Sequence, residues 1–209
     1  MRPSLEILVK KLLVIATVFA VSAVWADDKP KTPAKKPAPS AAMPIPAPTP
    51  EMKELLALVG NWRSHETMEK IDSMMMPGGE GTSTETITKG PGGLSIILSI
   101  KGVSGPMSTF RGTGIMTFDP DTKTYKMAWV ENMMPGLTTE SGQKQGNDIV
   151  MEGQVSMGGK TYKTRDVLSD FTPNSYTMTS YGDDGAGEKK MMTIKMMREA
   201  AKPKTEAPK

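Results

Sequence analysis

The chain has 209 residues, 26 of them basic and 23 acidic, with a formal charge of +3 and no cysteine. Without cysteine there is no disulfide framework, no thiolate nucleophile and no thiolate metal site, so the fold must rest on its own core. The positive charge belongs to the ends: residues 51–198 carry 16 basic and 18 acidic side chains, which argues against a nucleic-acid surface.

In chain order, residues 1–26 read as a secretory signal. Arg2, Lys10 and Lys11 form a basic start, Leu12 to Val24 an apolar run, and Val24-Trp25-Ala26 a cleavage site before Asp27. The apolar run is shorter than the roughly 20 residues of a spanning helix. The expectation is therefore an exported protein, periplasmic or secreted, with no membrane segment after cleavage. Residues 27–50, "DDKPKTPAKKPAPSAAMPIPAPTP", predict a disordered Pro/Ala/Lys-rich linker whose lysines could touch an anionic envelope surface. Residues 199–209, "EAAKPKTEAPK", predict a disordered tail. One domain, 51–198, lies between them and is expected to be monomeric.

Helical signals are confined to "TPEMKELLALVG", where Thr49 can cap the start and Gly60 end the helix. Beyond it, alternating runs predict ten strands, at about 61–70, 82–89, 93–101, 108–118, 124–131, 137–144, 148–156, 160–169, 175–181 and 188–198. Their connections are short, so consecutive strands should pair antiparallel. Ten such strands and one short helix predict an all-β fold, an antiparallel up-and-down β-barrel.

The helix running into "LVGNWRSHETM" resembles the opening of lipocalin-like (calycin) barrels, with Gly60 and Trp62 at the matching positions. "FRGTGIMTFDPDTKTYKMAWVENM" is similar to the corresponding block of the bacterial family called domain of unknown function 1579, and the resemblance extends from about Glu51 to Arg198. It implies a calycin-like barrel, often exported. It implies no activity and assigns no functional residue.

In a barrel, one parity of each strand faces the axis. Trp62, Ser64, Glu66 and Met68 share a face, as do Leu94, Ile96, Leu98 and Ile100; Phe110, Gly112, Gly114, Met116 and Phe118; Tyr125, Met127 and Trp129; and Met192, Ile194 and Met196. Gly112 and Gly114 either leave room for a ligand or relieve strain where the strand coils. There are 19 methionines, and Met74-Met75-Met76, Met107, Met133-Met134 and Met157 fall on connections that share one barrel end. Methionine suits surfaces that accommodate varied apolar shapes, so this rim suggests a mouth for a small hydrophobic or amphipathic ligand. Methionine as ordinary filler is the plain alternative, and a structural or interaction module of the envelope the competing function. Thioethers could also bind Cu(I), but regularly spaced Met-x-x-Met is missing.

Glu66, facing inward, needs a partner, and Arg165 is the candidate if its strand turns it inside. The ligand-binding set is thus Trp62, Glu66, Met68, Met74, Met75, Met76, Gly112, Gly114, Met116, Met127, Trp129, Met133, Met134 and Arg165. His65, the single histidine, faces outward by parity, so no catalytic set, metal site or cofactor is expected.

Overall fold

The computed structural model describes residues 44, 46–104 and 107–200. The predicted signal, most of the linker and the tail from residue 201 onward lie outside the described residues. A short helix, α1 (Pro50–Leu56), leads into ten strands: β1 (Gly60–Ile71), β2 (Met76–Lys89), β3 (Ser95–Ser104), β4 (Met107–Asp119), β5 (Thr124–Glu131), β6 (Thr138–Gln145), β7 (Asp148–Met157), β8 (Lys160–Ser169), β9 (Ser175–Asp183) and β10 (Glu188–Arg198). Each strand pairs antiparallel with the next, and β1 pairs with β10, so the sheet closes into a barrel. Among the described residues, no helix is long and apolar enough to cross a membrane.

Local chemistry explains the punctuation. Thr49 caps α1 through its side chain, which accepts from Met52 N–H at 3.2 Å, and Pro50 begins the helix where a missing N–H costs nothing. The turn from β7 to β8 is Gly158-Gly159, with φ of +58° and +77°. That is the left-handed pair a two-residue hairpin needs, and side chains resist it.

One expectation is corrected. β2 starts at Met76, not near 82, because the β1–β2 hairpin continues past the barrel wall: Lys70 pairs with Pro77 and Ile71 with Met76. β3 joins β2 only from Thr82 onward. Pro77, which has no amide proton to donate, therefore occupies an edge. Met76 lies in a strand, and only Met74 and Met75 belong to the turn. Likewise Leu94 ends a 3-10 turn (Pro91–Gly93) and precedes β3.

The core occupies the barrel end next to α1. Met52, Leu55 and Leu58 pack on Trp62, Ile87, Ile96, Met116, Tyr125, Ile149, Met151, Tyr176, Ile194 and Met196. Trp62 has no exposed surface, and its indole N–H donates to Leu58 O at 2.8 Å. Arg198 lies over that ring, 4.2 Å from its centroid, and donates to the carbonyls of Ala57, Val59 and Pro173. One guanidinium thus joins the helix end to the last strand, and the helix seals this end of the barrel.

The two glycines of β4 prove to serve packing. A Cβ on Gly112 would overlap the six-membered ring of Trp129, and one on Gly114 would lie 2.6 Å from Trp129 Cε3. Gly114 and Trp129 are cross-strand partners. The room the glycines leave is therefore taken by the indole. Gly112→Ala adds only that Cβ and should cost about 1–3 kcal/mol by overpacking. Urea denaturation should show that cost shrinking in a Trp129→Leu background; an equal cost in both backgrounds would contradict the packing account.

Candidate functional site

Beyond the core, the barrel has a mouth opposite α1, where the β1–β2, β5–β6, β7–β8 and β9–β10 connections gather. The β1–β2 tip leans across it. Met74 is 1% exposed, and its Cε would sit 3.2 Å from a Cβ on Gly182 of β9, beside Met191 Sδ at 2.6 Å. Met75, in the left-handed conformation (φ 56°), reaches Gly158 in the β7–β8 turn. Lys189 Nζ holds the tip by donating to Ser73 Oγ at 3.2 Å and Asp184 Oδ2 at 3.1 Å. The Ser73 hydroxyl, the Ala186 N–H and Lys189 together keep the Asp184 carboxyl well below the usual range. Met74 is thus a plug on the β9–β10 side of the mouth rather than an element of a flexible rim.

The β5–β7 side stays open. A cleft of about 170 Å³ is lined there by Trp129, Glu131, Met134, Leu137, Thr138 and Val155, among others. Leu137 is 64% exposed at its lip. Glu131 Oε2 accepts the Met133 N–H at 3.0 Å, whereas its Oε1 is buried with no hydrogen-bond partner among the described residues.

Below the mouth the lumen is polar and acidic. Ser64, Glu66, Ser83, Glu140 and Ser180 are buried there, Glu85 is buried deeper as the cross-strand partner of Trp62, and Thr164 and Asp166 share the inward parity of Tyr162 and Leu168 on β8. Ser64 Oγ donates to Glu66 Oε1 at 3.0 Å and lies 2.5 Å from Ser83 Oγ. Tyr176 OH donates to Glu85 Oε2 at 2.9 Å. Thr164 Oγ1 donates to Glu140 Oε1 at 3.1 Å, while Glu140 Oε2 is unpartnered among the described residues. No ion pair among the described residues includes Glu66, Glu85, Glu140 or Asp166.

Without counter-charges, desolvation dominates. Burial pushes the Glu85 carboxyl up to about 7 against the opposing Tyr176 hydrogen bond. Burial, helped by the nearby Asp166 charge, pushes Glu140 up to about 7, and Thr164 opposes it. Desolvation also raises Asp166, with Ser180 and Arg165 opposing.

The expected residues therefore divide. Trp129 and Met134 line the cleft, with Met133 exposed next to it. Glu66 and Met68 face the lumen, Met74 plugs it, and Met75 and Met76 belong to the protruding hairpin. Trp62 and Met116 are core at the sealed end, and Met127 packs against that core. Gly112 and Gly114 admit Trp129.

Arg165 must be corrected. With Tyr162, Thr164, Asp166 and Leu168 inward, alternation turns Arg165 outward, where it pairs with Glu188 at 2.5 Å and stacks 4.0 Å over Tyr181. Glu66 meets Ser64 instead. His65 faces outward, 3.4 Å from Glu80.

Sequence reasoning missed Glu85, Glu131, Glu140 and Asp166. In "GTSTETITK" both strand faces are polar, so period-2 contrast does not separate Glu85 from its outward neighbours. The signal available was parity counted from Ile87.

Comparison with known proteins gives a family and a structural likeness. A family model described as "Protein of unknown function (DUF1579)" matches residues 47–198. Among solved structures, the chain is similar to the S-type phycobiliprotein lyase CPES from Guillardia theta, at 16% identity and a TM-score of 0.49 over 72% of this chain and 93% of that one. No curated protein matches.

The lumenal acids set a pH dependence. The Glu85 carboxyl binds its proton more tightly folded, at about 7, than at its ordinary 4.5. Its contribution is fully present below about pH 4.5, falls as pH rises toward 7 and is flat above. Glu85→Gln should reduce the loss of stability between pH 4.5 and 8 by up to about 3 kcal/mol, read from urea midpoints at the two pH values. An unchanged pH dependence would show that Glu85 titrates as an exposed glutamate.

Proposed function

The chain belongs to the DUF1579 family, whose description supplies no activity, and on its geometry we propose that it is an exported binding protein that takes a small amphipathic molecule into the barrel mouth. The observation that carries this reading is the cleft beside Trp129. Its wall combines Trp129, Met134, Leu137 and Val155 with Glu131, Thr138, Gln154 and Ser156, and at Glu131 a buried carboxyl oxygen lacks a partner among the described residues. Apolar side chains set beside convergent polar groups suit an amphipathic small molecule, and barrel mouths are a usual place for such a site. The volume of about 170 Å³ selects a short apolar body. Trp129 is braced from behind by Gly112 and Gly114, so its exposed face is presented rigidly.

A second reading, an interaction module of the envelope, is favoured by the outer wall. Ile97, Ile115 and Ala128 are successive cross-strand partners on the outside of β3, β4 and β5. Ile97 and Ile115 are 36% and 44% exposed, and Val130 next to them 45%. Exposed apolar rows of this kind occur at contact surfaces.

Export is proposed from the basic start, apolar run and small residues of the first 26 positions. Amino-terminal sequencing of protein isolated from its host should find Asp27 first; a chain retaining Arg2 to Ala26 would contradict it.

Calorimetric titration with 1-hexanol tests the cleft. Saturable binding should appear in the wild type and weaken at least tenfold in Leu137→Asp and in Val155→Phe, with thermal midpoints little changed. Undiminished binding to both variants would displace the site from the cleft. A silent titration would discard the cleft as the seat of an apolar body and favour the second reading.

A further inference from the structure

We infer that the ligand of the mouth is a small amine, whose ammonium group is received below the cleft by Glu140 and Asp166; this rests on the cleft reading and names its ligand class.

The path from cleft to acid follows strand geometry. Thr138 of β6 lines the cleft, and Glu140 is the next inward residue on the same strand. Two residues of strand span about 7 Å, so Glu140 stands one layer below the cleft floor. Across the sheet, Glu140 is opposite Gly153, and Gly153 is opposite Thr164. A Cβ on Gly153 would lie 2.7 Å from Glu140 Cγ and 3.3 Å from Thr164 Oγ1. The missing side chain on β7 is what lets Glu140 lie across that strand toward β8. Asp166 is the next inward residue of β8, with Ser180 as its cross-strand partner on β9.

The charge balance then asks for a cation. Glu140 is 7% exposed, Thr164 occupies one of its oxygens, and the other has no partner among the described residues. The strands packed around it offer nothing to neutralise it. β5 turns Met127 and Trp129 inward, β7 turns Met151, Gly153 and Val155, β8 turns Thr164 and Asp166, and β9 turns Ser180 and Gly182. None of these is basic, and the second acid adds to the negative charge. An unpaired buried carboxylate is costly, and either a proton or a cationic group relieves it. The Glu140 carboxyl, pushed up to about 7, stands where those two compete at neutral pH.

Which cation follows from donor count and depth. An ammonium brings three N–H donors, enough for the free Glu140 oxygen and the Asp166 carboxylate together. Calcium asks for six to eight oxygen ligands, and no group of three metal-competent acidic or imidazole side chains converges among the described residues. The Trp129, Leu137 and Val155 side chains of the cleft one layer above supply a place for the carbon body, which a bare ion would not use.

The test compares hexylamine with 1-hexanol by calorimetry on the full chain at pH 8. Hexylamine, charged throughout this range, should bind the wild type at least tenfold more tightly than hexanol. In Glu140→Gln and in Asp166→Asn that ratio should fall toward one. At pH 6.5 its binding should also release protons, seen as a heat that varies with buffer ionisation enthalpy. Equal affinities for amine and alcohol in the wild type would overturn the inference while leaving the cleft. A tenfold preference surviving in both variants would overturn it as well. Amine binding that is lost in the acid variants, with no binding of hexanol, would leave the two acids as an ammonium site and overturn its coupling to the cleft. Binding of neither probe would end both.

Discussion

Everything in this molecule depends on the seam between its first and last strands. Seven residues of β1, Trp62 to Met68, pair with Met192 to Arg198 of β10 and turn an open meander into a closed wall. Closure removes the sheet edges and gives every strand an inner and an outer parity that cannot drift. A bulge between Lys190 and Met192 adjusts the register so that the last strand can meet the first. Arg198, stacked on Trp62 and bonded to three carbonyls, then locks helix, first strand and last strand together at the sealed end. Once the wall is closed and that end filled, only the mouth remains for function.

The wall encloses two different media. Near α1 the interior is apolar and close-packed, from Met52 and Leu55 through Trp62, Ile96 and Met151. Toward the mouth the same parities carry Ser64, Glu66, Ser83, Glu140 and Ser180, while Glu85 is the exception, an acid at the level of Trp62 that accepts the Tyr176 hydroxyl. The hydroxyls hold some carboxylate oxygens, but hydroxyls carry no charge to offset them. Glu85, Glu140 and Asp166 are consequently pushed toward their neutral forms, and the interior becomes sensitive to pH near neutrality. A barrel filled for stability alone would place branched apolar residues here. Acids without counter-ions are a departure of the kind that accompanies binding sites, where stability is lost in exchange for specificity.

The strands were legible wherever the two faces contrast. In "FRGTGIMTFDPDTKTYKMAWVEN" alternation and a turn signal together delimit β4 and β5. They were not legible where contrast fails: Met76 to Gly81 carries proline and glycines, reads as a loop, and is held extended only by pairing with β1. The site was legible in part. Glycines opposite a tryptophan could be read as space, yet which side chain claims that space depends on the cross-strand register of Gly114 with Trp129, which a single strand does not contain. Arg165 was ambiguous because β8 is polar on both faces; its parity is set by Tyr162 and Leu168 seated in the wall. Met74 lies in a turn, and its burial comes from a tip that bends over Gly182, a contact across more than one hundred residues.

Carboxyl groups are thus confined inside a closed wall without an ion-pair partner among the described residues. Carbon-13 titration of the side-chain carboxyls in uniformly labelled protein tests this most directly. The account predicts that Glu85 and Glu140 change protonation near pH 7. If every glutamate instead titrates near the ordinary 4.5, water or a cation already reaches those groups and the acidic lumen described here does not exist.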